Sequence, residues 1–378
     1  MNKLLQLSCK VYMVFFLGGK FMLHGKTVGI AFGCYAPMHQ GHLDVIYKAK
    51  KECDAGVIII VCGSDDDRAV AHNMPLNDRY NYVKEFFNDD VLVDVYKIDE
   101  TNLDIAPYPD GWDKWLTYFN DIYEKYSFNE RIWYVGEEDY KKELNKRGEK
   151  AVYLSRNNNE ISATLIRNNP YKYWDRIIPT FRHVFSHNIL ITGTASEGKS
   201  TLVNDLGKYF NTTSSVEFGK EEMIENKKLE TKLTVDDYFN FLKSQYDLTN
   251  NKIKSFENRG IFFGDTDNLV TKMYAKYYFK DCDFDLTEED YLLIEKEANK
   301  YNDLYKWDKI FLIKPNNKFV DDGIRYMKHA DLKIRYELYE ILCIFLKDAN
   351  LWDKVTILKG NYYENFISVK EYVKEIVK

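Results

Sequence analysis

Two histidines three residues apart, His39 and His42, close the stretch GCYAPMHQGH in a chain that has only seven histidines. The stretch follows the apolar run TVGIAFG and opens into HLDVIYKAKKEC, whose helical spacing predicts Leu43, Ile46, Tyr47 and Lys50 as neighbours. A strand that turns through glycine into a helix leaves free backbone N–H groups and the positive end of a helix dipole at the sheet edge, where phosphate binds. At i and i+3 across the helix start, His39 and His42 are expected to face one side and reach a polyphosphate. An imidazole there can donate to a phosphate oxygen and stabilise charge that develops at an α-phosphorus during displacement. Gly33 and Tyr35 belong to the same arrangement, and Gly41 keeps the backbone bare for close approach. One histidine at a helix start would read as a cap or a surface group, whereas the pair in this setting reads as a nucleotide site.

A second constellation lies far downstream. GTASEGKS, Gly193 to Ser200, follows the apolar NILIT and precedes TLVNDLGKYF, which is the strand-to-helix setting that the G-x-x-x-x-G-K-[S/T] phosphate loop requires. Gly193 and Gly198 shape the loop, Lys199 would bridge the β- and γ-phosphates of ATP, and Ser200, with Thr201 beside it, would ligate Mg²⁺ or phosphate. Further on, IFFGDTD ends a strand with Asp265 and Asp267, carboxylates suited to hold Mg²⁺ or to take a proton from an attacking hydroxyl. Strand-end aspartates are also ordinary turn formers, and only the phosphate loop gives these two another meaning.

The elements that must position these residues alternate regularly. After TVGIAFG and its helix come the buried strand GVIIIVCG, a helix from about Asp78, the strand VLVDVYKI, a helix after Gly111, the strand RIWYVG, a short helix, the strand AVYLS and a last helix around ATLIR. Strand and helix in alternation imply parallel pairing in a doubly wound α/β sheet. A fresh strand, NILIT, then starts a second such series with IFFGD, DKIFLIK and VTILKG. The expected organisation is an N-terminal extension over 1–24, a first domain over 25–172, a linker over 173–186 and a second domain over 187–378, as the length of 378 residues also favours.

Composition narrows the function classes. A net charge of −6 argues against holding nucleic acid on a broad basic surface but leaves small anionic ligands open. The six cysteines show no C-x-x-C pair and no metal-ligand spacing, so zinc is not expected and a reducing cytoplasm fits. VYMVFFLGG, between Lys10 and Lys20, has the length and basic flank of a signal-peptide core, yet it is too short to span a bilayer and no convincing cleavage site follows. Residues 1–21 are therefore read as an extension or as an upstream start, and no membrane partner is expected. The 16% aromatic content is read as core material rather than a stacking platform.

The pattern G-x-[Phe/Tyr]-x-P-x-H-x-G-H resembles the signature of the HxGH nucleotidyltransferase superfamily, which transfers an adenylyl group from ATP and releases pyrophosphate. That resemblance implies a second signature late in the same domain, and ISATLIR, Ile161 to Arg167, supplies it, with Ser162, Thr164 and Arg167 at the positions that grip the ATP phosphates. Alone, S-x-T-x-x-R would read as a helix cap. Together the two halves resemble the bifunctional NadR-type family, which joins a nicotinamide-mononucleotide adenylyltransferase of Rossmann-like fold to a P-loop ribosylnicotinamide kinase. Further signs are APYPDGWDKW, RNNPYKYW, NTTSSVEFGK, DTD and DDGIR.

The resemblance implies roles for further residues. Trp112 and Trp115 look like aromatic elements of the adenylyltransferase site, at least one suited to stack on a nicotinamide ring, although Trp115 could equally pack on a helix face. Glu217 matches a glutamate of the nucleoside site that binds ribose hydroxyls or acts as base. Asp322 and Arg325 match D-G-x-R, with Arg325 approaching the transferring phosphate. Phe319 stands where the family commonly has tryptophan and keeps a smaller stacking surface. The expected lid arginine falls near Lys333, with Arg335 two residues on, and residues 1–24 are too few and too apolar for the family's N-terminal helix-turn-helix.

The implied function is NAD salvage: ATP and Mg²⁺ serve a kinase that makes nicotinamide mononucleotide from nicotinamide riboside, and an adenylyltransferase that converts it to NAD. A homo-oligomer is left open. Two other readings keep the folds: an adenylyltransferase for another cofactor precursor fused to a different nucleoside kinase, or a non-catalytic NAD or ATP sensor. The second would need neither the His39/His42 pair nor Lys199 with both aspartates.

Overall fold

The computed structural model describes residues 23–64, 67, 69–106, 108–155, 161–321 and 323–377. The apolar stretch between Lys10 and Lys20 lies outside them, as does Asp322.

Five parallel strands form the first sheet: β1 (Thr27–Gly33), β2 (Val57–Gly63), β3 (Val93–Asp99), β4 (Glu130–Val135) and β5 (Ala151–Tyr153). Their order is β3-β2-β1-β4-β5, with Ile30 in register with Ile58 on one side and Trp133 on the other. The chain thus leaves β1 in one direction and returns to its other side, so the end of β1 is the point where strand order reverses and where open α/β sheets bind ligands. The GCYAPMHQGH turn starts there.

The second sheet repeats the logic with β6 (His187–Gly193), β7 (Ile261–Gly264), β8 (Lys309–Ile313) and β9 (Val355–Leu358), ordered β7-β6-β8-β9 and all parallel. β6 is flanked on both sides, and the phosphate loop leaves from its end.

Each sheet is coated by its own core. Phe119, Trp133 and Trp115 pack on the first sheet with Ile58 and Ile60, whereas Phe262, Trp307, Tyr238 and Tyr278 fill one face of the second and Ile189, Phe263 and Phe311 the other. These aromatic residues are core material, while others such as Phe256 and Tyr363 are exposed.

Residues 36–40, 72–74 and 161–378 form one compact unit, and the rest of the chain up to residue 160 the other. Within the former, Ile178 N–H donates to the Met38 carbonyl at 3.3 Å and His39 makes an antiparallel bridge with Ile177. Gln40 donates to the Asp175 carbonyl at 3.0 Å and accepts from Arg176.

The helix after the first turn spans Gln40–Glu52, as its spacing predicts. It buries Val45, Ile46 and Ala49, while Tyr47 is largely exposed and Leu43 only half-buried. Ala49 sits where a Cβ on Gly29 of β1 would come within 2.8 Å. Close approach of helix to strand, and not side-chain size, chose the buried face.

Candidate active sites

The first pocket opens where β1 and β2 end. Its walls include Phe32, Gly33, Cys34, Gly63, Asp67, Glu100, Trp112, Trp115 and Tyr140. Arg79, fully buried on the helix Leu76–Phe86, ties the floor together: it donates to the Cys34 carbonyl at 2.6 Å, to the Cys62 carbonyl at 3.3 Å and to Asp67 Oδ2 at 2.5 Å. Gly63 has φ +154, and a Cβ there would lie 2.3 Å from Asp67 Oδ2 and 2.7 Å from Arg79 Nη2, so only glycine lets this charge pair close against the strand end.

Both tryptophans reach this pocket, and they differ. Trp115 packs against Phe32, Phe119 and Trp133 and donates its indole N–H to Glu100 Oε1 at 2.9 Å, so its ring is fixed by packing and by a carboxylate whose pKa burial pushes up. Trp112 meets Phe32 and Tyr140 edge-on, and its indole N–H is buried with no hydrogen-bond partner among the described residues. A buried donor left in that state suits a ligand acceptor. Gly33 abuts the Tyr35 ring, which meets the half-buried His42 edge-on at 5.0 Å. Gly41 is buried in the first helical turn, and His39 is fully buried just before the helix.

The second signature returns to this turn. Arg167 donates to the Ala36 carbonyl at 2.6 Å and to Thr164 Oγ1 at 3.0 Å, while Ser162 Oγ caps the helix Ala163–Asn168 by accepting from Leu165 N–H at 3.2 Å. Two motifs more than a hundred residues apart are thus one structure at Ala36.

The second pocket lies beyond the phosphate loop. Gly193 ends β6, Gly198 takes φ +79 immediately before the helix Lys199–Tyr209, and Ser200 and Thr201 are exposed in its first turn. Lys199 is buried and donates to the Thr194 carbonyl at 2.8 Å. Burial lowers its pKa against the charges of Glu217 and Asp265, so residues distant in sequence act on one ammonium. Asp265 is fully buried, and burial raises its pKa to about 6 against the pull of Lys199. Neither of its carboxylate oxygens has a hydrogen bond of normal geometry among the described residues. Burial works to raise Glu217 as well, but Arg325, whose Nη2 stands 3.3 Å from Glu217 Oε2, and Lys199 hold that carboxyl below its usual range.

Three expected residues behave otherwise. Asp267 caps the helix Asn268–Tyr278 by accepting from Leu269 N–H at 3.0 Å with one oxygen, and it accepts from Trp307 Nε1 at 3.2 Å with the other, so both oxygens are engaged in structure. Lys333 projects into solvent with its side chain 83% exposed. Arg335 is buried and donates to Glu197 Oε1 at 2.7 Å and to the Asn317 carbonyl at 2.8 Å; Glu197, inside the phosphate loop, also accepts from the N–H groups of Asn316 and Asn317. The arginine holds the loop from behind. Phe319 is half-buried in the segment between β8 and the helix Leu332–Asp348, which carries Arg335.

Sequence reasoning missed Arg79, Glu197 and the pocket residue Glu230, because each takes its meaning from partners scattered through the fold. Glu197 alone carried a hint, being a charged residue inside a loop that binds anions.

Residues 30–169 match the cytidylyltransferase-like family and residues 188–365 match an AAA domain family. The chain is 27% identical over 374 residues to the trifunctional NAD biosynthesis/regulator protein NadR of Escherichia coli (strain K12), covering 96% of this chain and 86% of the relative, and the same figures hold for the Salmonella typhimurium (strain LT2) protein of that name. A crystal structure of a NadR protein in complex with NR superposes with a TM-score of 0.82 at 33% identity, over 94% of this chain and 97% of that one. The chain belongs to the NadR family. A second NadR structure, in complex with NAD and AMP-PNP, matches with a TM-score of 0.80 at the same identity and coverage. The parallel sheets, the switch-point turn and the phosphate loop are thus the NadR arrangement in this chain.

Proposed function

We propose that the two pockets carry out consecutive steps of NAD salvage. At the phosphate loop, nicotinamide riboside is phosphorylated by ATP; at the end of β1, the resulting nicotinamide mononucleotide receives AMP from ATP, giving NAD and pyrophosphate. The observation that carries this reading is that Glu217, Asp265 and Arg325 all act on the buried Lys199 ammonium, with Glu217 and Arg325 also lining an aromatic-walled cavity, in a NadR-family chain that also keeps the HxGH turn joined to Arg167. NadR structures with NR and with NAD and AMP-PNP support the substrate classes.

In the kinase the 5′-hydroxyl oxygen of the riboside attacks the γ-phosphorus, the bond to the bridging oxygen breaks, ADP leaves, and the hydroxyl proton passes to Asp265, whose raised pKa suits a base. Lys199 follows the β- and γ-phosphates, Glu217 holds the ribose, Arg325 meets the transferring group, and Phe319 offers an apolar face. Ser200 and Asp265 fit Mg²⁺: both offer hard oxygen, and the Asp265 oxygens have no competing donor of normal geometry. Bound there, the ion would neutralise charge on the β- and γ-oxygens.

In the adenylyltransferase a phosphate oxygen of the mononucleotide attacks the α-phosphorus and pyrophosphate departs. His39 and His42 donate to the phosphates, Ser162, Thr164 and Arg167 hold the ATP tail, and Trp112 and Trp115 flank the nicotinamide ring. Adenylyl transfer is assigned to residues 25–172 and riboside phosphorylation to 187–378. Among the described residues no helix is long and apolar enough to cross a membrane; a cytoplasmic location is part of this proposal.

Incubating the protein with nicotinamide riboside, ATP and Mg²⁺ should yield both mononucleotide and NAD by chromatography. Lys199→Ala should convert only supplied mononucleotide. If the native protein forms neither product, the reading is wrong.

A further inference from the structure

Behind the phosphate loop, the nucleoside cavity is lined by two carboxylates, Glu217 and Glu230, but only one cationic side chain, Arg325, among the described residues. Arg325 is engaged by Glu217 at 3.3 Å. Glu230, only 5% exposed, feels the Arg325 charge but has neutral hydrogen-bond partners: Tyr326 N–H donates to its Oε2 at 2.6 Å, and the Tyr278 hydroxyl hydrogen-bonds it. His329 Nδ1 stands 3.8 Å from the same oxygen, but burial together with the charges of Arg325 and Arg335 lowers that imidazole to about 3, so it is uncharged at neutral pH. The walls around Glu230 are Tyr238, Phe241, Tyr274 and Tyr278, whose ring faces attract cations. The Tyr238 hydroxyl is buried with no hydrogen-bond partner among the described residues.

Two buried carboxylates that share one lining cation, the second among aromatic faces and beside an unsatisfied hydroxyl, make an environment one charge short. The complement is a flat aromatic monocation that carries a hydrogen-bonding substituent. We infer that Glu230 is the residue that selects the positively charged, oxidised pyridinium riboside over the uncharged dihydropyridine riboside of nearly the same shape. This deepens the kinase assignment proposed above and rests on it. Glu230 acts on the base, away from the 5′-hydroxyl, so it sets substrate preference by binding and not by chemistry. Burial raises its carboxyl pKa, as expected of a group that awaits a positive partner.

The test compares nicotinamide riboside with 1,4-dihydronicotinamide riboside as substrates of the full-length protein, measuring ADP released with each. The native protein should favour the oxidised riboside by at least tenfold in kcat/KM. Glu230→Gln, which keeps an acceptor for Tyr326 N–H, should reduce that preference by about tenfold or more, mainly through KM for the oxidised form. Glu230→Asp, which keeps the charge, should retain most of it. If Glu230→Gln leaves the preference intact, or if it depresses both substrates equally and Glu230→Asp does the same, Glu230 is a packing group and the inference falls. A native protein that phosphorylates the dihydro form as well as the oxidised one also overturns it while leaving the kinase assignment standing. One that phosphorylates neither overturns both.

Discussion

Arg335 offers the sharpest test of how the phosphate loop is held. Its guanidinium and the Glu197 carboxylate are almost wholly buried and 2.7 Å apart. Replacing Arg335 with methionine keeps the apolar stem and removes the charge, so Glu197 is left with only two backbone N–H groups, those of Asn316 and Asn317. Breaking a buried pair by removing one partner costs about 3–5 kcal/mol. For a domain of this size each kcal/mol moves the midpoint by roughly 2–4 °C, so calorimetry should place the second unit's Tm about 6–20 °C lower. Kinase kcat at a temperature well below that midpoint should drop by about 10- to 100-fold, because the loop that carries Lys199 has lost its rear anchor. The double variant Glu197→Gln/Arg335→Met removes the stranded charge and should recover at least half of the lost stability. Lys333→Arg, on the exposed side chain two residues away, should change neither quantity. An Arg335→Met protein that melts and phosphorylates like the native one would refute the reasoning, and a gain in kcat from Lys333→Arg would return the lid role to that position.

Three further outcomes follow from the sites. His42→Ala should lower kcat for adenylyl transfer by on the order of 100-fold while riboside phosphorylation stays within threefold, measured on one preparation with each substrate supplied separately. Trp112→Ala should raise KM for nicotinamide mononucleotide by about tenfold, since losing a stacked face is worth roughly 1–3 kcal/mol, with a smaller effect on kcat; an unchanged KM would make Trp112 a packing residue. His329, at about 3 when folded against an ordinary 6.5, contributes stability that is present above about pH 6.5 and is lost as pH falls toward 3. Between pH 7 and 5 that loss is about 2 kcal/mol, so His329→Gln, which does not titrate, should show a Tm that falls by about 4–8 °C less over that range than the native protein's; equal slopes would contradict the neutral buried imidazole.

All nine strands were legible in the sequence, because parallel strands covered on both faces are continuous apolar runs bounded by turn residues. The two phosphate-binding turns were legible for the same reason, as their glycines follow such runs directly. What could not be read was any choice that a distant neighbour makes. DTD offers two aspartates in identical surroundings, and only Trp307, forty positions on, determines that Asp267 caps a helix while Asp265 stays available. Spacing made Leu43, Ile46, Tyr47 and Lys50 neighbours on the first helix but did not say which face is buried, a choice made where Gly29 on β1 lets Ala49 approach. Lys333 and Arg335 were ambiguous as lid residues until Glu197 accounted for the arginine.

The pairing of Met38 and His39 with Ile178 and Ile177 bears on how this chain can be divided by genetic means. A gene fragment ending at residue 172 encodes every residue of the GCYAPMHQGH turn and of ISATLIR, yet omits the segment that gives Met38 and His39 their backbone partners and Gln40 its bond to the Asp175 carbonyl. Its product would carry a complete motif on an unsupported backbone. A fragment extended through Phe185 includes those partners, so the useful stop codon for an independent adenylyltransferase lies downstream of the place where the conserved-looking letters end. The segment between the motifs of the two halves is thereby read as scaffold for the first reaction, and a chimera that exchanges kinases should be spliced immediately before β6.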